Sequence, residues 1–270
     1  MKKTALGVVV IVILSIGFIL HSPVNATSQQ AYQDYLYQFD IYRQNYSDFQ
    51  VAQNEYQKFQ SLTAQTDALN KTKTMLSQRD QLLRSYLLLL DERLREDQGL
   101  APATKQTYEA LLQNEATFLA SHAQLISAIG SIDDATQVSR QLESHYMILQ
   151  VSIRQILIGL ALGQLSILNN FYKTDLQTAQ SLINTYSSNF TSDKQQTINR
   201  WILEIQNKQV LFQQKYDALV AANAQFTADD QNSLDQKFGD LSSQINDARQ
   251  YLLEGSSYLI ELKNALKFTN

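Results

Sequence analysis

A chain of 270 residues, 44% hydrophobic and only 18% charged, with 8 glycines and 2 prolines, is long enough to bury a substantial core and too poor in turn formers for a β-rich fold. Its formal net charge of -4, with Lys and Arg scattered along the sequence, offers no basic surface for nucleic acid. The absence of cysteine excludes disulfides, thiolate metal sites, thiol catalysis and lipid attachment at an N-terminal cysteine.

The chain opens on a basic Met1-Lys2-Lys3, followed by an apolar or small stretch from Ala5 to Leu20 that is broken by His21, Ser22 and Pro23. Val24-Asn25-Ala26 then supplies small residues at the spacing a signal peptidase needs, so residues 1–26 read as a bacterial-style leader cleaved before Thr27. The alternative is an uncleaved N-terminal membrane anchor. Sixteen apolar residues span about 24 Å, short of a bilayer core of about 30 Å. Either way, the remaining chain is expected outside the cytoplasmic membrane, in the cell envelope or the extracellular space.

From Tyr32 onward apolar residues recur in steps of three and four, the spacing of an amphipathic helix seam. The first helix, over about 28–61, carries an aromatic stripe: Tyr32, Tyr35, Phe39, Tyr42, Tyr46, Phe49, then Gln53, then Tyr56. A second, over about 64–97, has a broad leucine stripe from Leu69 to Leu94. Gly99, free to take a positive φ, and Pro102 are expected to stop it. The third starts near Thr104 and runs to Gly130. Ser131 with Asp134 opens a fourth of about 55 residues, or about 80 Å, with a break conceivable between Gly159 and Gly163 or at Lys173. Ser192 with Gln195 and Thr227 with Asp230 resemble further capping boxes opening a fifth and a sixth helix.

Short turns between long helices force antiparallel neighbours. The fold class is therefore all-α: an elongated antiparallel bundle of about six long helices, a four-helix part followed by a three-helix part that shares the long fourth helix. The corresponding domains are an N-terminal bundle over 27–160 and a C-terminal three-helix bundle over 161–270.

Catalytic and cofactor signatures are missing from the sequence: no nucleophile elbow, phosphate loop, two-histidine zinc motif or paired Glu-x-x-His spacing is present. No catalytic, cofactor-binding or metal-ligating residue is assigned, and no cofactor is expected. Two polar or aromatic features stand out instead. Folding helices three and four back around Gly130 and Ser131 brings level those residues whose numbers sum to about 261. That sets Glu115 near His145 as a buried polar pair, and His122 near Arg140 and Glu143. The pair reads either as a pH-sensitive switch or binding pocket, or as a contact that fixes register. Lys73 and Asp80, also in seam positions, read as side chains that snorkel at a bundle end. The stripe Tyr32, Tyr35, Phe39, Tyr42, Tyr46, Phe49 and Tyr56 is either core or an aromatic binding face.

Three functional readings follow. The first is an exported, non-enzymatic helical-bundle protein with a structural or protein-interaction role at the cell envelope. Its partners would be a protein or a second copy, no nucleic acid, and membrane only through an uncleaved leader. The second is a ligand-binding or sensory helical bundle. The third is a membrane-active helical protein centred on Met147–Leu168, the most apolar internal stretch, although Arg154 within it is costly to insert.

Overall fold

The computed structural model describes residues 26–267. The leader read over residues 1–26 lies outside them apart from Ala26. Six helices occur, with no strand among the described residues: α1 (Ala26–Phe59), α2 (Leu62–Glu96), α3 (Pro102–Ser127), α4 (Ile132–Tyr186), α5 (Ser192–Ala224) and α6 (Gln231–Lys267). The protein is an all-α helical bundle. α4 is a single unbroken helix of 55 residues, about 80 Å long, with no break at Gly159, Gly163 or Lys173.

Helix ends are set by local chemistry, and several differ from the sequence expectation. Gln60 and Ser61 alone join α1 to α2. Gln60 takes the left-handed conformation (φ 48°), and Ser61 Oγ accepts the Ala64 N–H at 3.2 Å. Pro102 begins α3 and does not merely stop α2. A first-turn N–H has no intrahelical partner, so proline loses nothing there. Asp97 makes the α2–α3 turn by accepting the N–H groups of Gly99 (2.9 Å) and Leu100 (2.8 Å). Ser131 caps α4, accepting the Asp134 N–H at 3.1 Å. The cap of α5 is Thr191, one residue before Ser192, and accepts the Lys194 N–H. At α6, Asp230 and Ser233 cap each other, with Asp230 Oδ1 accepting the Ser233 N–H at 2.8 Å and Ser233 Oγ accepting the Asp230 N–H at 3.3 Å. Thr227 is left as a carbonyl partner for Lys237 Nζ. Each shift is the same effect: the side-chain oxygen that reaches an orphan N–H wins the cap.

α2 is the centre of the N-terminal part, packed against α1, α3 and α4. α4 then turns its second half to α5 and α6. Two large apolar cores result. One joins Tyr35, the α2 leucines from Leu82 to Leu94, Leu112, Leu119, Leu149 and Ile156. The other joins Ile158, Leu165 and Tyr172 to Ile198, Ile205 and Phe212 of α5 and Leu234, Ile245 and Leu262 of α6. The fully buried α4 side chains belong to the first core as far as Ile156 and to the second from Ile158, while half-buried ones overlap, Met147 and Val151 packing on the second core and Leu157 and Leu160 on the first. A smaller cluster of Phe49, Met75, Leu76, Ile126, Ile129, Ala135 and Val138 closes the far end of the four-helix part.

The change of core on α4 is sealed by close contact and by hydrogen bonds. Asn223 at the end of α5, 1% exposed, donates to Tyr108 Oη at 2.8 Å and to the Gln155 carbonyl at 3.0 Å, while Gln155 Nε2 donates back to the Asn223 carbonyl at 2.8 Å. About two turns along, the α2–α3 loop lies directly on α4: a Cβ on Gly99 would sit 1.8 Å from the Gly163 carbonyl oxygen. Gly99 is therefore required by proximity and not by a positive φ, which no glycine among the described residues adopts. Gly99→Ala is expected to lower unfolding stability by about 1–3 kcal/mol through overpacking. Gly239→Ala, in the interior of α6 where a Cβ meets nothing within 4 Å, should raise it by about 0.5–1 kcal/mol. Urea unfolding midpoints of the two variants check both signs.

Candidate functional site

Heptad spacing on α3 aligns Glu115, Phe118 and His122 along the face turned to α2 and α4. Glu115 is 3% exposed and His122 1%. The α3–α4 register brings level positions whose numbers sum to 260, as the Glu115–His145 and His122–Val138 contacts show. Glu115 accepts His145 Nε2 on one carboxylate oxygen at 2.7 Å and Ser152 Oγ on the other at 3.0 Å. The His145 ring stacks on Phe118 with centroids 3.6 Å apart, and His122 stacks on the opposite side of the sequence step at 5.9 Å.

This set of side chains resembles a catalytic triad in composition only. A serine nucleophile needs an imidazole on its hydroxyl, whereas Ser152 donates to the carboxylate and His145 contacts the carboxylate's other oxygen. Both serine and carboxylate are buried and His145 is half-buried, so the arrangement holds α3 against α4.

His122 does not lie against Arg140 and Glu143, as level-matching suggested. Its Nδ1 is 2.6 Å from Asp80 Oδ2 and its Nε2 is 2.9 Å from the Val138 carbonyl. Asp80 is 2% exposed and lies far from any bundle end, so the snorkelling expected of it is replaced by a buried ion pair. The cue was present in the sequence. Asp80 sits between Leu76 and Leu83 in the α2 seam, and folding α2 onto α3 about the Asp97–Ala101 turn brings it level with His122. Lys73 reaches the Ile129 carbonyl at the end of α3, at 2.9 Å.

The two acceptors facing His122 determine its protonation. A carbonyl and an ionised carboxylate only accept, so with Asp80 ionised both ring nitrogens donate, which is the imidazolium form. Burial pushes the His122 pKa down. The hydrogen bonds to Asp80 and Val138, with the charge of Asp80, outweigh both that effect and the opposing charge of Arg79, and the pKa lies above the ordinary histidine value. Arg79 is itself held below its usual value by burial, partly offset by Asp80, Tyr42 and Glu143. Its Nη1 donates to Ser139 Oγ at 3.5 Å, and Ser139 Oγ donates to Glu143 at 3.0 Å. Arg79 Nε and Nη2 and Asp80 Oδ1 are buried with no hydrogen-bond partner among the described residues.

The aromatic stripe of α1 is mostly turned inward against α2. Tyr35 and Phe49 are buried, Phe39, Tyr42, Tyr46 and Tyr56 are half-buried, and Tyr32 alone is exposed. Tyr35 packs on Tyr86 with centroids 5.2 Å apart, and burial pushes the Tyr86 phenol up to about 12. Gln53 is exposed and Ala52 takes the seam position in its place, because only a small side chain fits where α1 and α2 approach closely. Within Met147–Leu168, Ile148 is the one exposed residue. By length and composition α4 qualifies as a membrane span, yet its apolar positions from Leu149 to Leu165 are occupied in packing the two cores.

An open groove of about 1030 Å³ runs along α2 between α1 and α3, with Tyr37, Arg84, Leu88, Asp91, Glu109 and Gln113 among its walls. None of the residues singled out from the sequence lines it. Buried His122 and half-buried His145 each face one carboxylate, and no three His, Asp or Glu side chains among the described residues group to hold a metal ion. Compared with known proteins, the chain matches no family model, no curated protein and no solved structure, so its chemistry is argued from these side chains alone.

The two pairs should differ in worth. Asp80→Ala leaves a buried imidazolium without its carboxylate and is expected to cost about 3–5 kcal/mol. Ser152→Ala removes one neutral donor to Glu115 and should cost about 1 kcal/mol. Chemical unfolding of both variants at pH 6 measures the difference, and a Ser152→Ala loss as large as that of Asp80→Ala would contradict the assignment.

Proposed function

We propose that this chain is an exported, non-enzymatic helical-bundle protein with a structural or protein-interaction role at the cell envelope. The observation carrying this reading is that two cores are strung on one continuous α4 while the buried polar side chains are turned on each other. Bundle enzymes converge several carboxylates and histidines on an open site; here Glu115, His145 and Ser152 form a closed set. A long body with a sealed middle joint suits a spacer or a scaffold presented to a protein partner. Export is supported by the basic start, apolar stretch and small-residue site over residues 1–26.

Fractionation of intact cells, followed by cross-linking and mass spectrometry, tests location and partner together. The expected outcome is recovery in the envelope or culture medium, cross-linked to another protein or to a second copy. Recovery in the cytosol alone contradicts the proposal.

The groove beside α2 favours a second reading, a ligand-binding or sensory bundle. Its walls carry both signs of charge around the half-exposed Leu88, the lining of a site for an amphipathic ligand. Leu88→Glu should leave folding unchanged and abolish binding of any ligand that protects the groove from hydrogen exchange. Protection that persists in this variant places the ligand elsewhere.

A further inference from the structure

Three of the buried polar residues, Asp80, His122 and Ser139, lie at one level of the four-helix part, with Tyr42 and Arg79 half-buried beside them. Tyr42 of α1, Arg79 and Asp80 of α2, His122 of α3 and Ser139 of α4 lie between the large N-terminal core and the small cluster of Phe49, Met75, Leu76, Ile126, Ile129, Ala135 and Val138. The helices therefore cross from one apolar core to another through a polar layer. On the far side, the α3–α4 turn is held by that small cluster, by Lys73 on the Ile129 carbonyl and by the layer itself. Segments with few buried apolar contacts open independently of the rest.

We infer that Asp80, His122 and the Val138 carbonyl form a proton-operated latch, which clamps the α3–α4 turn onto α2 while the imidazolium keeps its second proton and releases the turn when that proton leaves to solvent. His122 bridges a carboxylate on α2 and a carbonyl on α4 at 2.6 and 2.9 Å. Without the second proton, one ring nitrogen turns a lone pair on an oxygen lone pair at that distance, in a site 1% exposed, which is repulsive and undersolvated. The second state has its own partners. Arg79, next to Asp80 in sequence and electrostatically coupled to it, keeps two buried nitrogens, Nε and Nη2, unpaired, and Asp80 keeps one unpaired oxygen, so the guanidinium is a second cation available to the carboxylate. Two discrete arrangements of one carboxylate are what a switch requires.

The charged groups that act on His122 are Asp80 and Arg79 of α2; Tyr42 of α1 and Glu143 of α4, the latter also bonded to Ser139, act on Arg79, and Glu115 lies one heptad back on α3. Arg79 opposes the imidazolium and Asp80 favours it. The sign follows from the raised folded pKa: stability from this pair is complete below the unfolded value of about 6.5 and is lost as pH rises through the folded value. The latch opens toward alkaline pH.

Selective 15N-histidine labelling of the full chain, with His21, His122 and His145 as its three histidines, reads the proton directly. His122 should show both ring nitrogens protonated at pH 6 and titrate above about pH 6.5. Assignment comes from His122→Asn or, should that variant not fold, by difference from His21→Ala and His145→Ala. Over the same pH rise, hydrogen-exchange protection of residues 124–136, corrected for intrinsic rates, should fall with a slope of up to about tenfold per pH unit for the one proton released, while α5 and α6 hold theirs. The step should survive His145→Ala and vanish in Asp80→Asn. A neutral His122 at pH 6, a flat protection profile, or a step that disappears with His145 overturns the latch.

Discussion

Everything in this fold leans on α4. One helix of 55 residues supplies fully buried side chains to the N-terminal core as far as Ile156 and to the C-terminal core from Ile158. Such a helix is not held by propensity. Gly159 and Gly163 in its middle cost about 1 kcal/mol each relative to alanine, and nothing local compensates. Tertiary contact does: a Cβ on Gly159 would meet the Tyr108 ring at 2.3 Å, and the α2–α3 loop lies on Gly163. The residues that weaken the helix are those that let its neighbours reach it. With Asn223 tying α5 to Tyr108 and to the Gln155 carbonyl, the place where two cores meet is drawn tight.

Polar burial does different work. Apolar seams of Leu and Ile tolerate slippage, because one leucine resembles the next a heptad away. Glu115 and Asp80 do not tolerate it, since each must meet one histidine at one level or stay buried and uncompensated. Phe118 stacks with both histidines, so the two pairs share an aromatic spacer on α3. Stability gained per pair is small against the cost of desolvation. What the pairs supply is register, the role best attested for polar residues in helical seams.

How far the sequence could be read depends on the range of the interaction concerned. Helical class and helix number follow from a spacing of three and four that recurs along the chain, a consequence of 3.6 residues per turn. Helix ends were readable to within a few residues, and the errors are instructive. Pro102 proved to be a start, and Thr191 and Asp230 cap where Ser192 and Thr227 were favoured, because several neighbouring side chains can satisfy the same orphan N–H and backbone direction chooses among them. Asp80 was misplaced for a different reason: its level with His122 can be counted about the Asp97–Ala101 turn, but that count identifies a partner only once α3 is known to pack on α2.

By itself, then, the sequence determined that the chain would be helical, how many long helices it has and which stripe each turns inward, since these depend on neighbours three or four residues away. Level-matching about the α3–α4 turn also set Glu115 beside His145; only the tertiary structure decided that α2 is central, that Asp80 takes His122, and that glycines mark the joint on α4. Those outcomes depend on the distance between residues far apart in the chain. That distance is set by crossing angles and turn geometry, which no local pattern encodes.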